Sequence, residues 1–312
     1  MLNRMTTEQL VNAALNYPYM IDILAYTSYS TGFRVLAENF NGLKELLERE
    51  DAAQKLAQKM QATPVCVNTR AMPEDALFDL VNQSIFLDIL MAQPEFLNKL
   101  TAEESEALFA FVDNTAANEE SNQKNNIQAM RTNAIPETYD FTHKTFFNAI
   151  SEQFETYREK DTIQTRGGLT VNVERWTASD VDWTLTEIMA AARDWQAKYP
   201  NVKILQNATR RYNCHSYAWY SQSHSSNMLV IRSAVNYLND PYSTKVGTPS
   251  PGLKIYYDDT RPQIDDNHSG IIVSVTSSQV IVASKWGESI LAEHTTTQCP
   301  YYNSRDIQYW RY

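Results

Sequence analysis

The sequence predicts an α+β protein: an all-α helical domain over residues 1–115, a connecting segment over 116–165, and a domain over 166–312 in which a helix bearing Cys214 packs on an antiparallel sheet. Three observations predict it. Apolar residues in the first 115 positions recur at helical spacing, with none of the strict alternation of a strand. The stretch 114–135 is polar and rich in Asn and Gln, the composition of a linker. Beyond residue 250, runs of β-branched and aromatic residues alternate with turn residues.

Taken in order, Thr6-Thr7-Glu8-Gln9 reads as a helix start, followed by Leu10, Val11, Ala14 and Leu15 on one face. Pro18 interrupts that pattern and opens a second helix over Tyr19–Leu24. Leu43, Leu46 and Leu47, then Ala52, Ala53, Leu56 and Met60, continue the helical period. Residues 8–24 lie over 74–90 as a weak repeat, sharing Glu8/Glu74, Asn16/Asn82 and Asp22/Asp88, which suggests two related helical units. Phe146, Phe147, Ile150, Phe154 and Tyr157 predict a helix over 140–159, and Gly167-Gly168 a short hairpin or strand through Val173. A long helix is expected from about Ser179 to Lys198, closed by Tyr199-Pro200. Gly270–Val275 and Val280–Ser284, joined by Thr276-Ser277-Ser278-Gln279, read as a β-hairpin, with Ile255-Tyr256-Tyr257 as a further strand.

Composition excludes several classes of function. The chain of 312 residues carries a net charge of -10, which repels phosphate backbones and disfavours nucleic acid as a partner. No G-x-x-x-x-G-K-S/T or G-x-G-x-x-G string occurs, so no nucleotide-binding glycine loop is expected and no cofactor is implied. No apolar run is long enough for a membrane span. MLNRMTTEQL lacks the apolar region of a signal peptide, so an extracytoplasmic role would require that a leader was removed. Compartment and oligomeric state stay open. The three cysteines, Cys66, Cys214 and Cys299, are an odd number, so at least one thiol is free or pairs with another chain; no C-x-x-C occurs.

The chemistry concentrates in Tyr212-Asn213-Cys214-His215-Ser216-Tyr217-Ala218-Trp219-Tyr220. A helix starting near Asn213 sets the Cys214 thiol in its first turn, where amide hydrogens and the helix dipole favour a thiolate and an oxyanion. The base must come from elsewhere in the fold, and His268, opening His268-Ser269-Gly270-Ile271-Ile272-Val273, is the natural partner. Small Ser269 and Gly270 leave room for close approach.

N-C-H-S-Y-A-W followed by H-S-G-I-I-V resembles the NlpC-type and CHAP-type branches of the papain-like cysteine peptidases, over roughly the last hundred residues. Gly252-Leu253-Lys254-Ile255-Tyr256-Tyr257 resembles their G-D-x-V-x-Y strand, with Leu253 in place of the aspartate. The combination of N-Y-P-Y, F-N-G-L-x-E-L, N-C-H-S-Y-A-W, S-K-W-G and C-P-Y is similar to a set of poorly characterised bacterial proteins. The resemblance implies a papain-like domain, a Cys214–His268 pair, and a polar residue on the next strand that orients the histidine. Ser284 and Glu288 are the two candidates; Lys285 would oppose the imidazolium formed in catalysis. Asn213, His215, Trp286 and His294 are candidates for the substrate side, although a surface position is the simpler reading of His215.

The expected activity is thiol-dependent hydrolysis of an amide by a peptidase or amidase, with bacterial cell-wall peptide (peptidoglycan) among the substrates. Three alternatives stand beside it. One is an acyltransferase or transglutaminase-like enzyme using the same pair. Another is a catalytically inactive papain-like binding module, its helical half offering Tyr17, Tyr19, Tyr26 and Tyr29 to a partner. The third is a metal site drawn from Cys214, His215, His224, His268, His294 and Cys299, whose spacing argues against it.

Overall fold

The structure, a computed structural model, describes residues 2–116, 119–153, 158–177, 180–259, 267–302 and 305–312. Two compact units interleave along the chain. Met1–Ile23, Gly32–Tyr157 and Trp183–Asp194 form the first; Leu24–Thr31, Arg158–Asp182 and Trp195–Tyr312 form the second. The α+β class is as expected, with the strands in antiparallel sheets.

The helices along the chain are α1 (Thr7–Leu15), α2 (Tyr29–Asn39), α3 (Asn41–Glu48), α4 (Ala52–Gln61), α5 (Glu74–Met91), α6 (Pro94–Leu97), α7 (Ala102–Ala116), α8 (Glu119–Thr132), α9 (Lys144–Gln153), α10 (Leu185–Lys198) and α11 (Val235–Leu238). In the first unit α1 packs on α3 and α4, and α5 packs on α4 and α9. Thr6 caps α1 as expected, its hydroxyl accepting from the Gln9 backbone amide while the Gln9 side-chain oxygen accepts from the Thr6 backbone amide. Leu10, Val11, Leu43, Leu46, Leu56 and Met60 meet in the core, and removal of such side chains from water is what holds these helices together. α5 is buried on nearly all sides through Val81, Ile85, Phe86, Leu87, Ile89 and Leu90, which makes it the central helix.

Several expectations change here. Residues 16–18 break the first copy of the proposed repeat, whereas the second runs unbroken as α5, so the similarity is not a repeated structural unit. Pro18 does not open an α-helix; Met20–Ala25 is a 3₁₀ segment. The polar stretch expected as a linker carries α8, whose Asn126 side chain accepts from the Leu185 amide at the start of α10. A short strand, β1 (Cys66–Asn68), pairs with β2 (Thr138–Asp140); three residues are too few for alternation to show in sequence. The helix expected over 140–159 is α9, and Phe154 and Tyr157 lie outside the described residues. The long helix begins at Leu185, where Thr184 and Glu187 form a capping box; Ser179 lies outside the described residues.

The second unit is built on two antiparallel sheets. Its strands are β3 (Glu159–Gln164), β4 (Thr170–Arg175), β5 (Lys203–Gln206), β6 (Leu229–Val230), β7 (Thr244–Val246), β8 (Lys254–Asp259), β9 (His268–Val275), β10 (Val280–Lys285), β11 (Leu291–Thr295) and β12 (Arg305–Arg311). The larger sheet has the order β5-β11-β10-β9-β8-β12-β7, the smaller β3-β4-β6. The expected hairpins are β9–β10, closed by Thr276 and Gln279, and β3–β4, turning at Gly167-Gly168. Most of the polar turn before His268 (263–266) lies outside the described residues.

The loop after β10 turns at Gly287, which has φ +53. A Cβ there would stand 2.4 Å from the Tyr26 carbonyl oxygen and 2.5 Å from that of Leu24, and backbone cannot yield as a side chain can. Gly287→Ala is therefore expected to destabilise this unit by about 2 kcal/mol or more, adding a clash to left-handed strain. Urea unfolding of the variant beside Gly168→Ala, where φ is +86 but the Cβ meets nothing, separates clash from strain; equal losses would show that the close approach is unimportant.

Candidate active site

Local sequence sets each piece of the candidate site. Asn213 caps the helix that carries the thiol: its side-chain oxygen accepts from the Ser216 amide and its carbonyl from the Tyr217 amide. Cys214 and His215 open the helix, which continues as a π-helix over Ser216–Tyr220. Asn213 is tied to Ile231 as well, donating to its carbonyl at 2.8 Å and accepting from its amide at 3.2 Å. It is fully buried, so its role is to fix the start of the helix rather than to face a substrate.

This helix packs on β9 and β10, whose first and last residues are His268 and Lys285. Strand alternation then decides which side chains share a face. Ser269, Ile271, Ala283 and Lys285 are turned to the helix. Ser269 Oγ meets His215 Nδ1 and Trp219 Nε1, each at 2.8 Å, while Ile271 and Ala283 pack with Tyr212 and Tyr217. His268, Gly270 and Ser284 belong to the alternate set. Gly270 is required there, since a Cβ would lie 2.6 Å from Val282 Cγ1 and 3.0 Å from Ser284 Cβ. The His268 ring stacks on Tyr301 at 4.2 Å and 14°, with Tyr257 at 5.5 Å. The Tyr301 hydroxyl is anchored on the Ala25 carbonyl at 3.0 Å. Cys214 and His268 are each one residue away from the hydrogen-bonded pair His215–Ser269, and both are 0% exposed.

The two candidate orienting residues have other partners. Ser284 Oγ bonds His294 Nε2 at 2.7 Å, and His294 Nδ1 donates to the Thr295 carbonyl at 2.8 Å. Glu288 accepts from Arg158 at 2.9 Å in a buried ion pair, and Arg158 also donates to the Arg210 carbonyl at 2.7 Å. Of the four substrate-side candidates, His215, His294 and Trp286 are buried like Asn213. His215 is thus no surface residue: its buried imidazole meets Ser269 Oγ, which also accepts from the Trp219 indole. Trp286 packs edge-on against Trp195 at 4.9 Å and Tyr199 at 5.1 Å, as core. Burial pushes His215 and His294 down to about 4, so both rings are neutral at pH 7. Among the described residues no three metal-ligating side chains converge, and His224 meets Tyr212 at 2.9 Å.

Lys285, set aside in the sequence as an orienting residue for His268, has a structural place that the sequence did not show. Fully buried, it places its ammonium against three backbone carbonyls: Ser289 at 2.6 Å, Thr209 at 2.9 Å and Gly287 at 3.3 Å. Burial pushes it down to about 7, against the opposing pull of the Glu288 and Asp182 carboxylates and of the Cys214 side chain. It is therefore close enough to Cys214 for their charges to couple. Asp182 was also missed: it binds the Thr209 hydroxyl, the Arg210 amide and the Arg211 guanidinium, fixing the segment that leads into the Cys214 helix. Local sequence signals neither arrangement: the Asp182 partners are 27 to 29 residues distant, and the Lys285 clamp closes only when Thr209, 76 residues away, joins the nearby Gly287 and Ser289 carbonyls.

All three cysteines are free thiols, so Cys66 and Cys299 form no disulfide. Cys66 is exposed, yet a hydrogen bond with Asp140 pushes its thiol up to about 11. No protein-family model, curated protein or solved structure matches this chain.

Proposed function

We propose that the second unit is a thiol-dependent amide hydrolase of papain-like type, with Cys214 as nucleophile and His268 as base. The observation that carries this reading is topological: a thiol at the first residue of a capped helix and an imidazole at the first residue of the strand it packs on. Because His268 belongs to the strand face turned away from the helix, the two would meet around the end of the sheet. In the reaction Cys214 Sγ attacks the amide carbon and His268 takes the thiol proton. The leaving amine receives that proton, and water then clears the acyl-enzyme. Lys285 favours the thiolate through charge. Peptides, bacterial cell-wall peptide included, are the substrate class; an amine acceptor in place of water would make the same pair an acyltransferase.

A second reading is an inactive papain-like binding module. Two observations favour it: Ser284 and Glu288 are engaged by His294 and Arg158, and both Cys214 and His268 are closed to solvent. In that case the fold is retained for recognition.

Alkylation of each cysteine by iodoacetamide across pH 5 to 9, followed by mass spectrometry, decides between them. Exposure alone favours Cys66, whereas its raised pKa and the setting of Cys214 favour Cys214. The hydrolase reading expects Cys214 to react below pH 8, ahead of Cys66, and to slow by about tenfold or more in His268→Ala. An inert Cys214, or one indifferent to His268→Ala, establishes the inactive module.

A further inference from the structure

We propose that His215 is a positioning residue that locks the His268-bearing end of β9 to the helix carrying Cys214. This rests on the reading of Cys214 and His268 as the reacting pair. The argument begins with donors and acceptors. Trp219 Nε1 can only donate, so Ser269 Oγ accepts from it at 2.8 Å. The hydroxyl proton of Ser269 is then available to His215 Nδ1, also at 2.8 Å. A neutral imidazole that accepts at Nδ1 carries its proton on Nε2. His215 therefore engages Ser269, the residue that follows His268 on β9.

His215 and Trp219 are four residues apart and so lie on one face of the helix. Together they grip the hydroxyl of Ser269 from the side of the Cys214 helix. His215, Ser269 and Trp219 are all buried, at 0%, 0% and 4% exposure, so these bonds face little competition from water. A rotation or slip of the helix would move Cys214 and break both bonds to Ser269. The arrangement therefore couples the position of the thiol to the start of β9. It also gives physical meaning to the adjacency of Cys214 and His215: one residue supplies the thiol while its neighbour holds the strand that supplies the base.

The test uses the full chain with His215→Ala, His215→Asn and Ser269→Ala, beside His268→Ala. Two quantities are read: hydrogen exchange of the amides of residues 267–270, and the pH profile of Cys214 alkylation. Ser269→Ala removes one oxygen from an intact backbone and carries the test if His215→Ala does not fold. The expected result is at least tenfold faster exchange in Ser269→Ala and in folded His215→Ala, with a comparable fall in Cys214 reactivity below pH 8. His215→Asn, whose amide can stand in for Nδ1 opposite Ser269, restores most of both. Unchanged exchange in a folded variant overturns the lock. Faster exchange with an unchanged Cys214 profile shows a purely structural network and overturns the positioning role. If the wild-type Cys214 profile is indifferent to His268→Ala, the hydrolase reading fails and the positioning role falls with it, a pattern distinct from the other two.

Discussion

Acidification from pH 7 to pH 4 is expected to destabilise the sheet-bearing unit by about 3 kcal/mol for each of two buried histidines, His215 and His294. Both rings ordinarily titrate near 6.5, and in the fold burial pushes them down to about 4. Between those values the unfolded chain binds more protons than the folded one. The stability they contribute is therefore complete above pH 6.5 and is lost progressively as pH falls towards 4. The cause is geometric as well as electrostatic: His294 accepts from Ser284 at Nε2, and a protonated ring can no longer accept there. Glu174, held low by Arg232, acts in the same direction at lower pH. Urea titrations at pH 7, 5.5 and 4 check the slope. His294→Asn, which keeps a polar partner for Ser284 but does not titrate, should remove about half of the histidine-dependent part. A wild type equally stable at pH 7 and pH 4 would show that these rings are not held neutral.

Replacing Lys285 by Met is the second large effect expected. Three carbonyls lose a buried donor, at about 1–3 kcal/mol for each one left unsatisfied, and relief of the buried charge offsets part of that loss. Ser289 keeps the Thr209 amide as a donor at 3.2 Å, so the deficit falls mainly on Thr209 and Gly287. A net loss of about 2–4 kcal/mol at pH 7 is expected. The pH dependence identifies the cause. With its folded value at about 7, against 10.5 for an ordinary lysine, Lys285 makes the unfolded state the better proton binder between those limits. Wild-type stability should then rise with pH across that window while Lys285→Met gains nothing there, so the gap widens. Iodoacetamide profiles should move to higher pH in the same variant, because the cation that favours the Cys214 thiolate is gone. A variant as stable as the wild type, with an unmoved Cys214 profile, would reduce Lys285 to filler.

Local signals in the sequence were sufficient for the class of fold and for the placement of the two candidate reacting residues on their elements. Thr6 and Gln9 declare a helix start because the capping box is a four-residue pattern. The β9–β10 hairpin is legible because its strands and turn are contiguous. Asn213 and Cys214 mark a helix start for the same reason. What lies further apart in the chain was not legible. The interleaving of the two units depends on Leu24–Thr31 and Trp183–Asp194 each joining the unit that the neighbouring sequence does not. The partners of Ser284 and Glu288 are fixed by strand register and by Arg158, 130 residues from Glu288, and no local pattern encodes that choice. Lys285 reads in sequence as a poor orienting residue for His268, and tertiary structure makes it a buried clamp by bringing the Thr209 carbonyl, 76 residues away, to those of the nearby Gly287 and Ser289. Sequence by itself determined what short-range hydrogen bonding and periodicity can specify: which residues begin helices, which alternate in strands, and where a thiol and an imidazole stand on them. Tertiary structure decided which polar groups pair in the interior, because a buried donor must find whichever acceptor the packed backbone delivers, however distant in the chain.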